Sequence, residues 1–200
     1  MNQGEFMWAN QLTEVLGIKY PIIQGPFGGG LSSVELAATV TNLGGLGSFG
    51  AQHLTADQII ATNITIRSLT EKPYALNLWV SDRDERLANF KGAEFEKLTS
   101  IFKPYYDELK IELPEMPIEL GVIYKEQVEA ILIAKPPIFS FVYGIPSKEI
   151  LSECRSSNIK TIGAATTVDE AIALEKAGVE VVVATGFEAG GAQRFIFTFS

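Results

Sequence analysis

Short apolar runs alternate along this chain with longer amphipathic segments. Six such runs stand at 21–25, 46–50, 74–78, 138–143, 161–164 and 181–184. Each is near-continuously apolar, the pattern of a strand buried on both faces, as in a parallel sheet. The segments between them carry readable helix signals. Ser33 precedes Leu36, Ala37, Ala38 and Val40. Thr55 with Gln58, and Thr167 with Glu170, have the spacing of capping boxes, and Gly178 ends the last helix as a left-handed cap. Ser147, after Pro146, opens a helix with Ile150, Leu151 and Cys154 on one face.

Repeated strand–helix units predict a parallel sheet, either open and doubly wound or closed into a barrel. A dinucleotide-binding open sheet needs a G-x-G-x-x-G turn after its first strand. Here that turn reads Gly25-Pro26-Phe27-Gly28-Gly29-Gly30, mis-spaced and interrupted by Pro26. Every run ends in small or polar residues, which suits a (β/α)₈ barrel of the TIM type, whose active site is built from the C-terminal ends of its strands. With 200 residues, only about six of the eight β/α units are expected, since a complete barrel takes about 250 residues. The stretch 82–135 is longer, more charged and helical in pattern, with breaks expected at Pro104, Pro114 and Pro117. It predicts a helical insertion between the third and fourth strands of a single domain, with Tyr105 and Tyr106 packing inside it.

Composition narrows the chemistry. At 46% hydrophobic and 20% charged, the chain is an ordinary globular one. A net charge of −8 argues against nucleic acid and anionic membranes as partners. One cysteine, Cys154, and one histidine, His53, leave no disulfide and no set for zinc or iron. No apolar stretch approaches the roughly 18 residues of a membrane span. The start lacks the basic and apolar regions of a signal peptide, so a cytoplasmic location is the default.

Three places invite function. Gln24 to Gly30 reads either as a flat ligand's backbone cradle, with Gln24 as a hydrogen-bonding group, or as a tight turn needing positive φ. Asn77 sits inside a strand, where asparagine is depleted; its amide needs a partner, either a ligand or neighbouring backbone. The loop from Gly186 to Gly191 reads as an anion-holding turn or an ordinary connection, with Glu188 a solvated carboxylate. Cys154 reads as a buried small hydrophobe, and His53 as structural or solvent-facing.

Six segments in register resemble the nitronate monooxygenase family: IIQGPFGGG from Ile22, LAATVTNLGGLGSFGA from Leu36, KPYALNL from Lys72, FSFVYGIP from Phe139, TIGAATTVDEAIALEKAGVEVVV from Thr161 and ATGFEAGG from Ala184. The resemblance implies an FMN-bearing barrel, here incomplete over 1–200, that oxidises alkyl nitronates with O₂. By resemblance, Gln24, Gly25 and Pro26 line the flavin, Asn77 bonds its ring or ribityl edge, Thr185 stands where a flavin-contacting glutamine is common, and Gly190 and Gly191 help hold the phosphate. Two departures follow. Val142 stands where many members carry histidine, and Ala192-Gln193-Arg194 stands where members continue with His-Arg. A single-base insertion turns His-Arg into Ala-Gln-Arg, so the expectation is that the match ends at Gly191 and the rest is out-of-frame text. A chain stopping there is expected to bind FMN weakly and to aggregate through open strand edges unless a homodimer pairs them. The alternatives are a flavin-type enoyl-ACP reductase, or another FMN barrel oxidoreductase, and a non-catalytic fragment or pseudoenzyme.

Overall fold

The computed structural model describes residues 8–81, 92–116 and 123–189. The chain divides into two compact units, one of Met1–Ser81 with Val122–Ser200 and one of Asp82–Gly121.

The first unit holds a five-stranded parallel sheet of β1 (Ser48–Gly50), β2 (Ala75–Trp79), β3 (Ile138–Val142), β4 (Lys160–Ala165) and β5 (Val181–Ala184), in that spatial order. The order never reverses. An open doubly wound sheet reverses at its switch point, so a sequential all-parallel order is that of a barrel wall. Its helices are α1 (Gln11–Leu16), α2 (Val34–Asn42), α3 (Ala56–Leu69), α5 (Tyr124–Ala134), α6 (Lys148–Ser156) and α7 (Val168–Ala177); α4 (Gly92–Leu109) belongs to the second unit.

The caps form as the sequence predicts. Ser33 accepts from Leu36 N, Thr55 and Gln58 close one capping box, Thr167 and Glu170 close another, and Gly178 takes φ 81°. Helix α1 adds an Asn10–Thr13 box and a left-handed Gly17 that the periodicity does not announce. The apolar run at 21–25 is not a strand but a single parallel bridge, Ile23 to Leu46. Leu46 N donates to Ile22 O at 2.8 Å and Gln24 N to Leu46 O at 2.9 Å. Pro21 and Pro26 bracket it, and neither has an N–H to extend the ladder.

Strand parity divides the core. Leu76, Leu78, Phe139 and Phe141 face the helices and pack with Ile59, Ile66, Val128, Ile131, Leu151, Cys154 and Leu174. The opposite parity, Leu46, Ala75, Ile138 and Ile162, packs with Leu16 and Ile18, so α1 closes that side. Lys160 Nζ donates to Val15 O, a carbonyl near the end of α1. Gly47 brings the sheet against α2: a Cβ there would lie 1.8 Å from Ala37 O.

The second unit departs from expectation in two respects. Pro104 lies inside α4 rather than ending it; the turn loses one backbone donor, and the Lys103–Asp107 ion pair at 2.7 Å spans it. Tyr105 is 61% exposed rather than packed. Pro117 lies outside the described residues. Among the described residues no helix is long and apolar enough to cross a membrane.

Candidate active site

The C-terminal ends of the strands surround one cleft of about 380 Å³. Its lining follows the inward parity of the sheet except at Phe141 of β3: Ser48 from β1, Asn77 from β2, Ser140 and Val142 from β3, Ile162 and Ala164 from β4, and Val183 from β5. The loops beyond add Gly25, Pro26 and Phe27 from the first turn, Tyr143 after β3, Thr166 after β4, and Thr185 and Ala189 after β5. This size is within the range of pockets that hold drug-sized ligands and cofactors, roughly 300–1,000 Å³. None of the described lining residues is charged.

Asn77 and Ser140 are register partners on adjacent strands. Both are buried, and Asn77 Nδ2 donates to Ser140 Oγ at 3.0 Å. The Asn77 amide thus bonds a neighbouring side chain rather than neighbouring backbone, and the residue lines the cleft.

Of the residues expected at the site, Gly25, Pro26, Asn77 and Thr185 meet at this cleft. Gln24 does not line it. Its amide is engaged within the loop: Nε2 donates to Gly25 O and to Ser32 Oγ (3.2 Å), and Oε1 accepts from Ser48 N (3.1 Å). Gln24 thus ties the first turn to β1. Gly29 and Gly30, at φ 68° and 85°, supply the positive φ that the turn needs. Gly190 and Gly191 lie outside the described residues. Glu188 is exposed and does not line the cleft.

Two buried polar side chains hold the rim. Glu170, 1% exposed, accepts from Thr166 N (2.6 Å), Thr166 Oγ1 (2.7 Å) and Thr167 N (3.2 Å), and so fixes the turn that carries Thr166. Gln127 on α5 donates to Gln52 O (3.1 Å) and Leu54 O (2.8 Å), pinning the loop after β1. Glu170 was legible as a capping residue; Gln127 had no local signal, because its partners lie far off in sequence.

The remaining candidates are inert or peripheral. Cys154 is fully buried, and burial, with Glu180 and Glu153 adding repulsion, pushes its thiol up to about 11. It behaves as the sequence predicts, as a small hydrophobe. His53 is exposed and rests edge-on against Trp79, ring centres 5.5 Å apart.

Comparison with known proteins gives consistent results. The family model described as nitronate monooxygenase matches residues 9–198, which carries the match past Gly191, where the sequence reading had ended it. A Staphylococcus haemolyticus protein described as a probable nitronate monooxygenase is 40% identical over 186 residues, covering 92% of this chain and 51% of its own length. A Staphylococcus aureus relative with the same description is 38% identical over the same shares. The chain thus spans about half the length of these curated relatives. Among solved structures, the nitroalkane oxidase of Streptomyces ansochromogenes superposes with a TM-score of 0.75 at 30% identity, over 96% of this chain and 52% of that one. FabK of Thermotoga maritima superposes at 0.66 with 23% identity, over 92% of this chain and 46% of that one, a likeness of fold alone.

Proposed function

The chain belongs to the nitronate monooxygenase family, and from that premise we propose that its cleft holds the ring of FMN and serves the oxidation of a small alkyl nitronate by O₂. The observation that carries this reading is the neutrality of the cleft. Its described walls offer no charged group and no paired acid and base. Such walls bind, orient and exclude water, and the redox chemistry comes with the bound group. The donors fit a flat heterocycle with a polar rim. Asn77, held by Ser140, supplies an amide at the floor, Thr185 a hydroxyl at the edge, and Pro26, Phe27 and Ile162 apolar surface. FMN, when bound, would supply the electron transfer and the reaction with O₂.

The same neutrality favours one form of the substrate. A neutral nitroalkane must lose a proton from carbon, which takes a positioned base. At the end of β3, Val142 has no basic atom, and His53 reaches the cleft only through two other rings. A nitronate is already deprotonated. Oxygen consumption measured with the two forms of one nitroalkane at neutral pH tests this. The nitronate form alone is expected to turn over, without NADH or NADPH. Comparable turnover of both forms would show a base elsewhere, and dependence on a nicotinamide would favour the reductase alternative.

A further inference from the structure

We propose that Trp79 and Tyr143 form a subsite at the mouth of the cleft that takes the hydrocarbon arm of the substrate and sets its preferred length. The head group assumed here, a nitronate, rests on the functional reading above. The arm subsite itself rests on geometry.

Trp79 lies two residues beyond Asn77 on β2, and alternate residues of a strand project from the same face. It therefore shares the face of the residue that lines the cleft floor, one step nearer the strand end. Across the ladder it pairs with Val142, which also lines the cleft. Trp79 is 40% exposed. It meets Tyr143 edge-on at 5.1 Å and 70°, and His53 at 5.5 Å and 69°. Tyr143 lines the cleft. Three rings from the ends of β1, β2 and β3 thus run without a break from the cleft wall outward.

The backbone holds this row in place. Tyr143 sits at φ 70°, a left-handed conformation that a bulky residue keeps only when its surroundings enforce it. The next residue, Gly144, is pressed on Val80, and a Cβ there would lie 2.7 Å from Val80 Cγ1. Strain of this kind collects at ligand clamps, where it fixes a side chain in its working position. A flavin ring seated in a cleft of about 380 Å³ leaves the rest of a substrate to extend past the mouth. There the surface on offer is aromatic, and apolar surface beside a binding cleft marks a ligand groove.

The test is anaerobic binding calorimetry with FMN present, using alkyl nitronates of increasing chain length and alkyl carboxylates of matched length. The parent protein is expected to gain up to about fourfold in affinity for each methylene that reaches the aromatic row. Trp79→Ala is expected to flatten that dependence and to leave the shortest ligand unchanged. Trp79→Leu, which keeps apolar bulk, retains part of it and serves if the alanine variant fails to fold. As a direct readout, Trp8→Phe leaves Trp79 the sole tryptophan of the chain's two, and its emission is expected to change saturably with the long ligands. Equal length dependence in parent and Trp79→Ala overturns the proposal. Carboxylates that show the predicted loss while nitronates fail to bind would keep the subsite and sink the nitronate reading. Nitronates that bind without regard to length would do the reverse.

Discussion

Asn77→Ala separates a ligand-binding asparagine from a structural strut. The residue is 2% exposed, and its side-chain amide donates to Ser140 Oγ at 3.0 Å. Truncation removes that bond and leaves a small gap between β2 and β3. The cost to folding is about 1–2 kcal/mol. If the same amide also bonds the flavin rim, a second hydrogen bond is lost in a water-poor cleft, about 1–3 kcal/mol, or about 5- to 150-fold in Kd. The two effects have separate readouts. Urea unfolding at constant m-value reports the first, and quenching of flavin fluorescence reports the second. Ser140→Ala is the control, because it breaks the internal bond yet keeps the Asn77 amide. It should match Asn77→Ala in stability and fall well short of it in lost flavin affinity. If both variants bind flavin as the parent does while both lose stability, Asn77 is a strut and the binding argument fails.

Glu170→Ala removes the acceptor of three donors at the rim and should cost about 2–4 kcal/mol in urea unfolding, with Glu170→Gln costing less because an amide oxygen still accepts; a loss under about 1 kcal/mol would contradict this. Gly47→Ala places a methyl group 1.8 Å from the Ala37 carbonyl oxygen, and should cost about 1–3 kcal/mol or more by forcing α2 off the sheet, seen as a fall in the urea midpoint. Cys154 keeps its proton in the folded chain up to about pH 11, against an ordinary 9.0, so its contribution to stability is intact below about pH 9 and is lost as pH rises towards 11, about 3 kcal/mol in all. Cys154→Ala should remove that part of the alkaline slope and leave the part from Tyr74, whose burial also raises its hydroxyl; an unchanged slope would show that Cys154 is not its source.

The strands and caps were legible because they are written locally. Runs such as 138–142 and 181–184 are apolar on both parities, and Thr55, Ser147 and Thr167 mark helix starts by residue type alone. The barrel order was legible from where the runs end, since Gly25, Tyr143, Thr166 and Thr185 each follow or close a run, Asn77 stands just short of the end of one, and all meet at one cleft. What stayed hidden depends on partners distant in sequence. Nothing near Gln24 shows that its amide would be taken up by Gly25, Ser32 and Ser48. Nothing near Gln127 shows that it would pin the loop after β1. The aromatic row was equally silent, because Trp79 and Tyr143 become neighbours only when β2 and β3 pair.

The central claim, that the cleft at the strand ends receives a flavin ring, is tested most directly by titrating the natively folded protein into lumiflavin, which is the ring without the ribityl phosphate, and into FMN. The account predicts saturable quenching of lumiflavin fluorescence, competition between the two flavins for one site, and weaker binding of both by Asn77→Ala. Flavin that keeps the absorbance and emission of the free dye with folded protein in excess would contradict it.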